Sequence, residues 1–214
     1  IDGGLDFYAP QTCQGPNGER YMVAWMQMWQ RSIPSHDLGH GWAGSMTIPR
    51  KLGLKDGRLV QELPESVKNH FLVENAPETI VKGNQIMIPA RGKQTLFEID
   101  SKSGRSFILK YGDESDVDSA LQLIYDASNK RFSLSRDQFG HLISGKESPE
   151  FQSRWIQLDG EKDYHFSILR DTNSIEVFVD GKTLSMTFYE TTENPVYTLT
   201  ADEGVDWVVK TYQK

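Results

Sequence analysis

From about residue 78 onward, short apolar runs start about every eight to twelve residues in most places, with strong turn clusters among them: Lys82-Gly83-Asn84, Lys102-Ser103-Gly104, Ser128-Asn129-Lys130, Asp159-Gly160 and Asp180-Gly181. That spacing leaves room for short strands and none for helices. The runs between the turns predict strands over 85–89, 93–100, 105–112, 120–126, 131–136, 154–158, 163–170, 174–180, 183–189, 196–200 and 206–212. The clearest arm is Ser174-Ile175-Glu176-Val177-Phe178-Val179, which runs into Asp180-Gly181, a pair suited to a tight hairpin. Many short strands with no helix between them predict a β-sandwich.

The first sixty residues follow a related pattern. Residues 5–12 carry aromatics at alternate positions, and Gly15-Pro16-Asn17-Gly18 is a strong turn. Residues 20–29 return as an apolar strand, a glycine-containing loop spans 32–41, and further strands are expected over 42–49 and, after Asp56-Gly57, over 58–63. Four short antiparallel strands in this length match one blade of a β-propeller, yet no second blade follows to close a ring. Residues 64–74, with Pro64 early and apolar spacing at Val67, Phe71 and Leu72, predict a short helical connector. The expected organisation is therefore all-β: a lone blade over 1–63, a linker over 64–77 and a sandwich over 78–214.

Charge and composition narrow the function. With 23 basic against 30 acidic residues, the net charge of −7 shows no basic stripe, which argues against nucleic acid as a partner. No run of eighteen apolar residues exists, so no helical membrane span is expected. Cys13 is the single cysteine, which excludes an internal disulfide and a cysteine-based metal cage. A free thiol fits a reducing compartment, hence an expected cytoplasmic location.

Three of the five tryptophans, Trp25, Trp29 and Trp42, fall early in the chain, beside Asp6, Tyr8 and His40. Aromatic faces among a few hydrogen-bonding groups suit a sugar, with its apolar C–H patches and rim of hydroxyls. Asp6 and Tyr8 are two apart and share a face of an extended segment, as do Trp25 and Trp29 if their strand stays regular. His36-Asp37-Leu38-Gly39-His40 has the spacing of a helical metal pair, but Pro34, Gly39 and Gly41 argue for a loop, so no metal is expected there. Asp180 reads as a turn residue, and Glu176 as an outward-facing strand position.

Five stretches taken together resemble glycoside hydrolase family 32, the β-fructofuranosidases: Leu5-Asp6-Phe7-Tyr8-Ala9-Pro10-Gln11, Ala24-Trp25-Met26, His40-Gly41-Trp42-Ala43-Gly44, Thr47-Ile48-Pro49-Arg50 and Ser174 to Gly181. The resemblance covers the whole chain and implies a five-bladed propeller followed by a sandwich. It also implies retaining hydrolysis of sucrose, sucrose 6-phosphate or β-fructans without metal or cofactor. It places Asp6 and Tyr8 toward the propeller's central funnel, Trp29 as an aromatic wall of the sugar site, His40 at the rim and Trp25 in the core. Such a reaction needs two carboxyls about 5 Å apart. The family's nucleophile motif Asn-Asp-Pro-Asn-Gly, its Arg-Asp-Pro and its Glu-Cys pair do not occur here. Gly15-Pro16-Asn17-Gly18 copies only the end of the first motif, with Gly15 where the aspartate belongs. The resemblance thus implies the last blade plus the sandwich, with no catalytic residue and no activity alone. The missing blades or a second copy of the chain would be its partner. A carbohydrate-binding or oligomerisation module, or half of a split enzyme, is the alternative.

Overall fold

The computed structural model describes residues 1–71, 78–81, 84–145 and 152–212. The chain is all-β. Strands β1 (Tyr8–Gln14), β2 (Arg20–Trp25), β3 (Arg50–Lys55) and β4 (Arg58–Glu62) form an antiparallel sheet in sequence order, the up-and-down connectivity of a propeller blade. Between β2 and β3 lies one helical turn, α1 (Pro34–Asp37), and after β4 comes α2 (Glu65–His70), which starts just after Pro64. The helix expected over 64–74 is therefore present over six residues, its last expected turn running into 72–77, outside the described residues.

Two departures in the blade have local causes. The strand expected over 42–49 is a loop joined to β2 by the bridge between Trp25 and Met46 and by the Ala24 N–H, which donates to Thr47 Oγ1 at 3.0 Å. Glycines 39, 41 and 44 all take positive φ, and Pro49 offers no N–H to a ladder, so pairing resumes only at Arg50. The strand expected to run to Trp29 stops at Trp25, with Gln30 at a φ of 64° closing the turn behind it.

The rest of the chain supplies β5 (Glu78–Val81), β6 (Gln85–Pro89), β7 (Gln94–Ser101), β8 (Phe107–Asp113), β9 (Asp116–Asp126), β10 (Arg131–Ser135), β11 (Ser153–Gln157), β12 (Tyr164–Arg170), β13 (Ser174–Val179), β14 (Lys182–Thr187), β15 (Pro195–Ala201) and β16 (Val205–Tyr212). They form two antiparallel six-stranded sheets, ordered β11-β10-β9-β8-β15-β6 and β14-β13-β12-β7-β16-β5. All eleven strands expected by turn spacing are present to within a few residues at their ends; β5 was not anticipated. Between the sheets lies an aromatic-rich core. Phe107 sits edge-on to Phe166 and Trp207, with ring centroids 5.0 and 5.1 Å apart. At the β13–β14 hairpin Asp180 and Gly181 both take positive φ, as the turn reading requires.

The second sheet is covered on its outer face too. Leu63 and Phe71 pack with Leu96, Leu169 and Phe178 into a small separate cluster. Beside it, the blade lies over β13 and β14. Glu176 therefore does not face solvent as its alternation suggested; it is 1% exposed. Its Oε2 accepts from Arg50 Nε and Nη2 at 3.2 and 2.8 Å, and its Oε1 from the Ile48 N–H at 2.6 Å. Arg50, also fully buried, donates onward to Asp2, Gln61 and Thr183. Burial pushes the Glu176 carboxyl upward and the Arg50 charge opposes that shift.

Away from this seam, on the same outer face, His165 bridges two carboxylates, with Nε2 2.7 Å from Glu98 and Nδ1 2.8 Å from Asp100. The hydrogen bond to Glu98 is the main reason its pKa is raised above 6.5, with Asp100 adding to it and burial opposing. A folded state that holds this proton more tightly is favoured below the unfolded pKa, and the advantage fades as pH rises through the folded one. Urea midpoints measured from about pH 6 to pH 9 are expected to show a decline above 6.5 that His165→Gln flattens.

Candidate aromatic site and the seam that holds it

The residue pattern of the first strand pair brings three large rings together. Tyr8 opens β1 opposite Trp25, the last residue of β2. The turn after β2 then folds Trp29 back onto both. The ring centroids are 6.3 Å (Tyr8–Trp25), 6.1 Å (Tyr8–Trp29) and 5.8 Å (Trp25–Trp29), all edge to face. Trp29 is 61% exposed and Tyr8 38%, while Trp25 is half-buried beneath them. Each such ring contact contributes about 0.5–1.5 kcal/mol beyond area burial, so the cluster holds its shape while presenting two aromatic surfaces to solvent. Trp25 and Trp29 are neighbours as expected, though through a turn and not along one regular strand.

Asp6 occupies a different place from the one expected. It lies before β1, and the register shifts between Tyr8 and Gln11, with Ala9 at a φ of 47°, so two-residue alternation does not carry from Asp6 to Tyr8. The Asp6 carboxylate is buried against the sandwich. Oδ2 accepts from Arg136 Nη1 at 2.6 Å, from the Thr187 N–H at 2.8 Å and from Thr187 Oγ1 at 2.9 Å; Oδ1 accepts from Arg31 at 3.0 Å. A carboxylate out of water needs charged donors, and the sandwich supplies Arg136. Burial pushes the Arg136 guanidinium downward, with Asp6 opposing, and arginine stays charged across the accessible range.

Asp6 thus anchors the aromatic cluster. Arg31 is two residues from Trp29, and the same turn is tied to the sandwich by Ser32 N–H to Ser144 O at 2.7 Å and Ser144 N–H to Ser32 Oγ at 2.9 Å. None of these partners was legible as a pair, because Asp6 lies 130 residues from Arg136 and 181 from Thr187.

His40 joins another group. Its ring lies 6.1 Å from that of Trp42, which stacks on Tyr189 of the sandwich at 6.4 Å and 25°. His36 belongs to the single turn of α1, and Gly39 at a φ of 69° separates it from His40. The Gly15–Gly18 stretch is the β1–β2 hairpin, closed by Gly18 N–H to Gly15 O at 3.2 Å, and Cys13 is an exposed free thiol on β1.

This architecture agrees with two family models: the glycosyl hydrolases family 32 N-terminal domain matches residues 1–63, and the glycosyl hydrolases family 32 C-terminal model matches residues 60–212. The chain belongs to glycosyl hydrolase family 32. It is 29% identical over 212 residues to a sucrose-6-phosphate hydrolase of Escherichia coli, covering 96% of this chain and 41% of that protein. A raffinose invertase of the same organism is 30% identical over 212 residues, with 95% and 41% covered. Among solved structures, the sucrose-6-phosphate hydrolase of Lactobacillus gasseri superposes with a TM-score of 0.82 at 21% identity, over 99% of this chain and 42% of that one. The chain thus spans about 41% of the length of these curated relatives.

Replacing Asp6 with alanine removes the carboxylate that Arg136 and Arg31 share at the seam and is expected to cost about 3–5 kcal/mol in urea unfolding. In folded molecules of the same variant, acrylamide quenching of tryptophan fluorescence should rise as the Trp29 turn loosens.

Proposed function

We propose that this chain supplies one wall of the sugar site of a retaining β-fructofuranosidase acting on sucrose, sucrose 6-phosphate or a β-fructan, with Tyr8 and Trp29 as the contacting rings. The observation that carries the reading is the exposed, mutually braced Tyr8–Trp25–Trp29 cluster. Rings edge-on to one another offer faces to the C–H side of a furanose, and bracing removes the entropy otherwise lost on binding. Asp6 takes no part in sugar contact in this reading, because its oxygens are spent on the seam.

The nucleophile and the acid/base belong to residues other than these 214, on the preceding blades, whether in one polypeptide or in a separate chain. The lone blade is suited to such a neighbour: Leu54 and Leu59, at its β3–β4 end, are both exposed. Among the described residues no helix is long and apolar enough to cross a membrane. A cytoplasmic setting is part of the proposal and rests on the unpaired Cys13.

The purified 214-residue chain is expected to release no fructose from sucrose, sucrose 6-phosphate or levan; turnover by a contaminant-free preparation would sink the reading. Joined to the preceding blades of the Escherichia coli sucrose-6-phosphate hydrolase, it should regain hydrolysis. There Trp29→Ala should lower kcat/KM by about two- to tenfold, the range that one lost ring contact supports. An unchanged kcat/KM would remove Trp29 from the site.

A further inference from the structure

A cavity of about 430 Å³ opens where the loop after α1 meets the sandwich, with neither Tyr8 nor Trp29 in its walls. Its walls include Trp42 and His40 from the blade side and Lys93, His141, Tyr189 and Glu190 from the sandwich side. The volume falls within the range of small-ligand sites, about 300–1,000 Å³.

The aromatic floor is fixed. Tyr189 is buried, and Trp42 lies nearly parallel to it while remaining 39% exposed, so one indole surface is backed and the ring still reaches solvent. Asn173, at the cavity edge, is held by paired hydrogen bonds with Ser45 at 2.8 and 3.3 Å, which join the blade loop to the sandwich beside the site. Among the described residues, Glu190 is held through one oxygen. Tyr111 Oη, Arg170 Nη2 and Thr192 Oγ1 all donate to its Oε2, leaving Oε1 for an incoming hydroxyl. The Lys93 ammonium and the His40 and His141 imidazoles make no side-chain hydrogen bond among the described residues. Three side chains able to donate, one free carboxylate oxygen and a braced indole thus surround one small volume.

We propose that this cavity is a saccharide-binding site for a neutral sugar of one or two rings, with Trp42 stacking on its C–H face, Glu190 Oε1 accepting from a hydroxyl, and Lys93, His40 and His141 donating to ring or hydroxyl oxygens. A polyhydroxy ring uses both donors and acceptors, which this wall supplies together. An anionic ligand is disfavoured because the Glu190 carboxylate stands in the wall. The site does not depend on the hydrolase reading, since it involves neither Tyr8 nor Trp29.

The test is a titration of the ¹⁵N-labelled 214-residue chain with fructose, sucrose and an inulin-type trisaccharide, and in parallel with sucrose 6-phosphate. The indole signals of the tryptophans are followed, with Trp42 assigned by the signal lost in Trp42→Phe. The Trp42 signal is expected to move saturably with at least one neutral sugar. Trp42→Ala should weaken that binding by about tenfold or more, read by calorimetry, while Trp42→Phe, which keeps a ring, stays within about threefold. No saturable movement of Trp42 up to about 50 mM of every neutral sugar, weaker than ordinary ligand affinities, overturns the proposal. Response to sucrose 6-phosphate alone overturns its ligand class. Movement of Trp42 with Trp29 unmoved upholds this site while weakening the aromatic-wall reading, and movement of Trp29 alone does the reverse.

Discussion

Blade and sandwich are locked by charges that have no other place to go. Arg50 and Arg136 are both buried, and each meets an aspartate from the first six residues of the chain. A guanidinium out of water is tolerable only with its donors filled, so any sliding of one unit over the other exposes an unpaired ion to an apolar medium. The recipient surface is the outer row of β14. Thr183 Oγ1 donates to Asp2, Ser185 Oγ to the Asp6 carbonyl and Thr187 Oγ1 to the Asp6 carboxylate. Strand alternation places those three hydroxyls on one face, and the two aspartates read that face like teeth on a rack.

What local sequence could convey, it conveyed. Turn pairs and two-residue alternation act over a few residues, which is why the sandwich strands and the Asp180-Gly181 hairpin are readable from the chain. Alternation also says which side chains point away from a core. It cannot say whether another layer lies there, and Glu176 shows the difference: it points outward from the sandwich and is buried by the blade. Asp6 escapes for the same reason, its partners being set by how two units pack. The third blade strand is a different case: Gly44, at positive φ, and Pro49 are both present in the sequence and hold the strand to residues after 49.

The aromatic cluster was legible in part. Composition pointed to aromatic surfaces near the start, and Tyr8, Trp25 and Trp29 do meet. The division of the early aromatics into two separate groups was not visible, because Trp42 finds its ring partner in Tyr189, on the far side of the chain. Both groups are tied to the sandwich, the first through Asp6 and Arg136 and the second through Trp42 and Tyr189.

The first residues have one more consequence. Gly3 and Leu5 donate their N–H groups to the Thr183 and Ser185 carbonyls, and the Asp2 and Asp6 carboxylates accept from the Ser185 and Thr187 N–H groups, so this segment caps the free edge of β14, and Gly4 lies so close to the Ser185 backbone that a Cβ there has no room. The piece of chain that enters the blade is thus hydrogen-bonded along the edge of the sandwich. Recombination that exchanged the two halves at the junction between residues 63 and 64 would cut at a natural gap in the sequence but not at one in the structure. The donor sandwich would arrive with an uncovered edge and a row of hydroxyls awaiting aspartates, and would accept only a blade whose leading residues carry the same spacing.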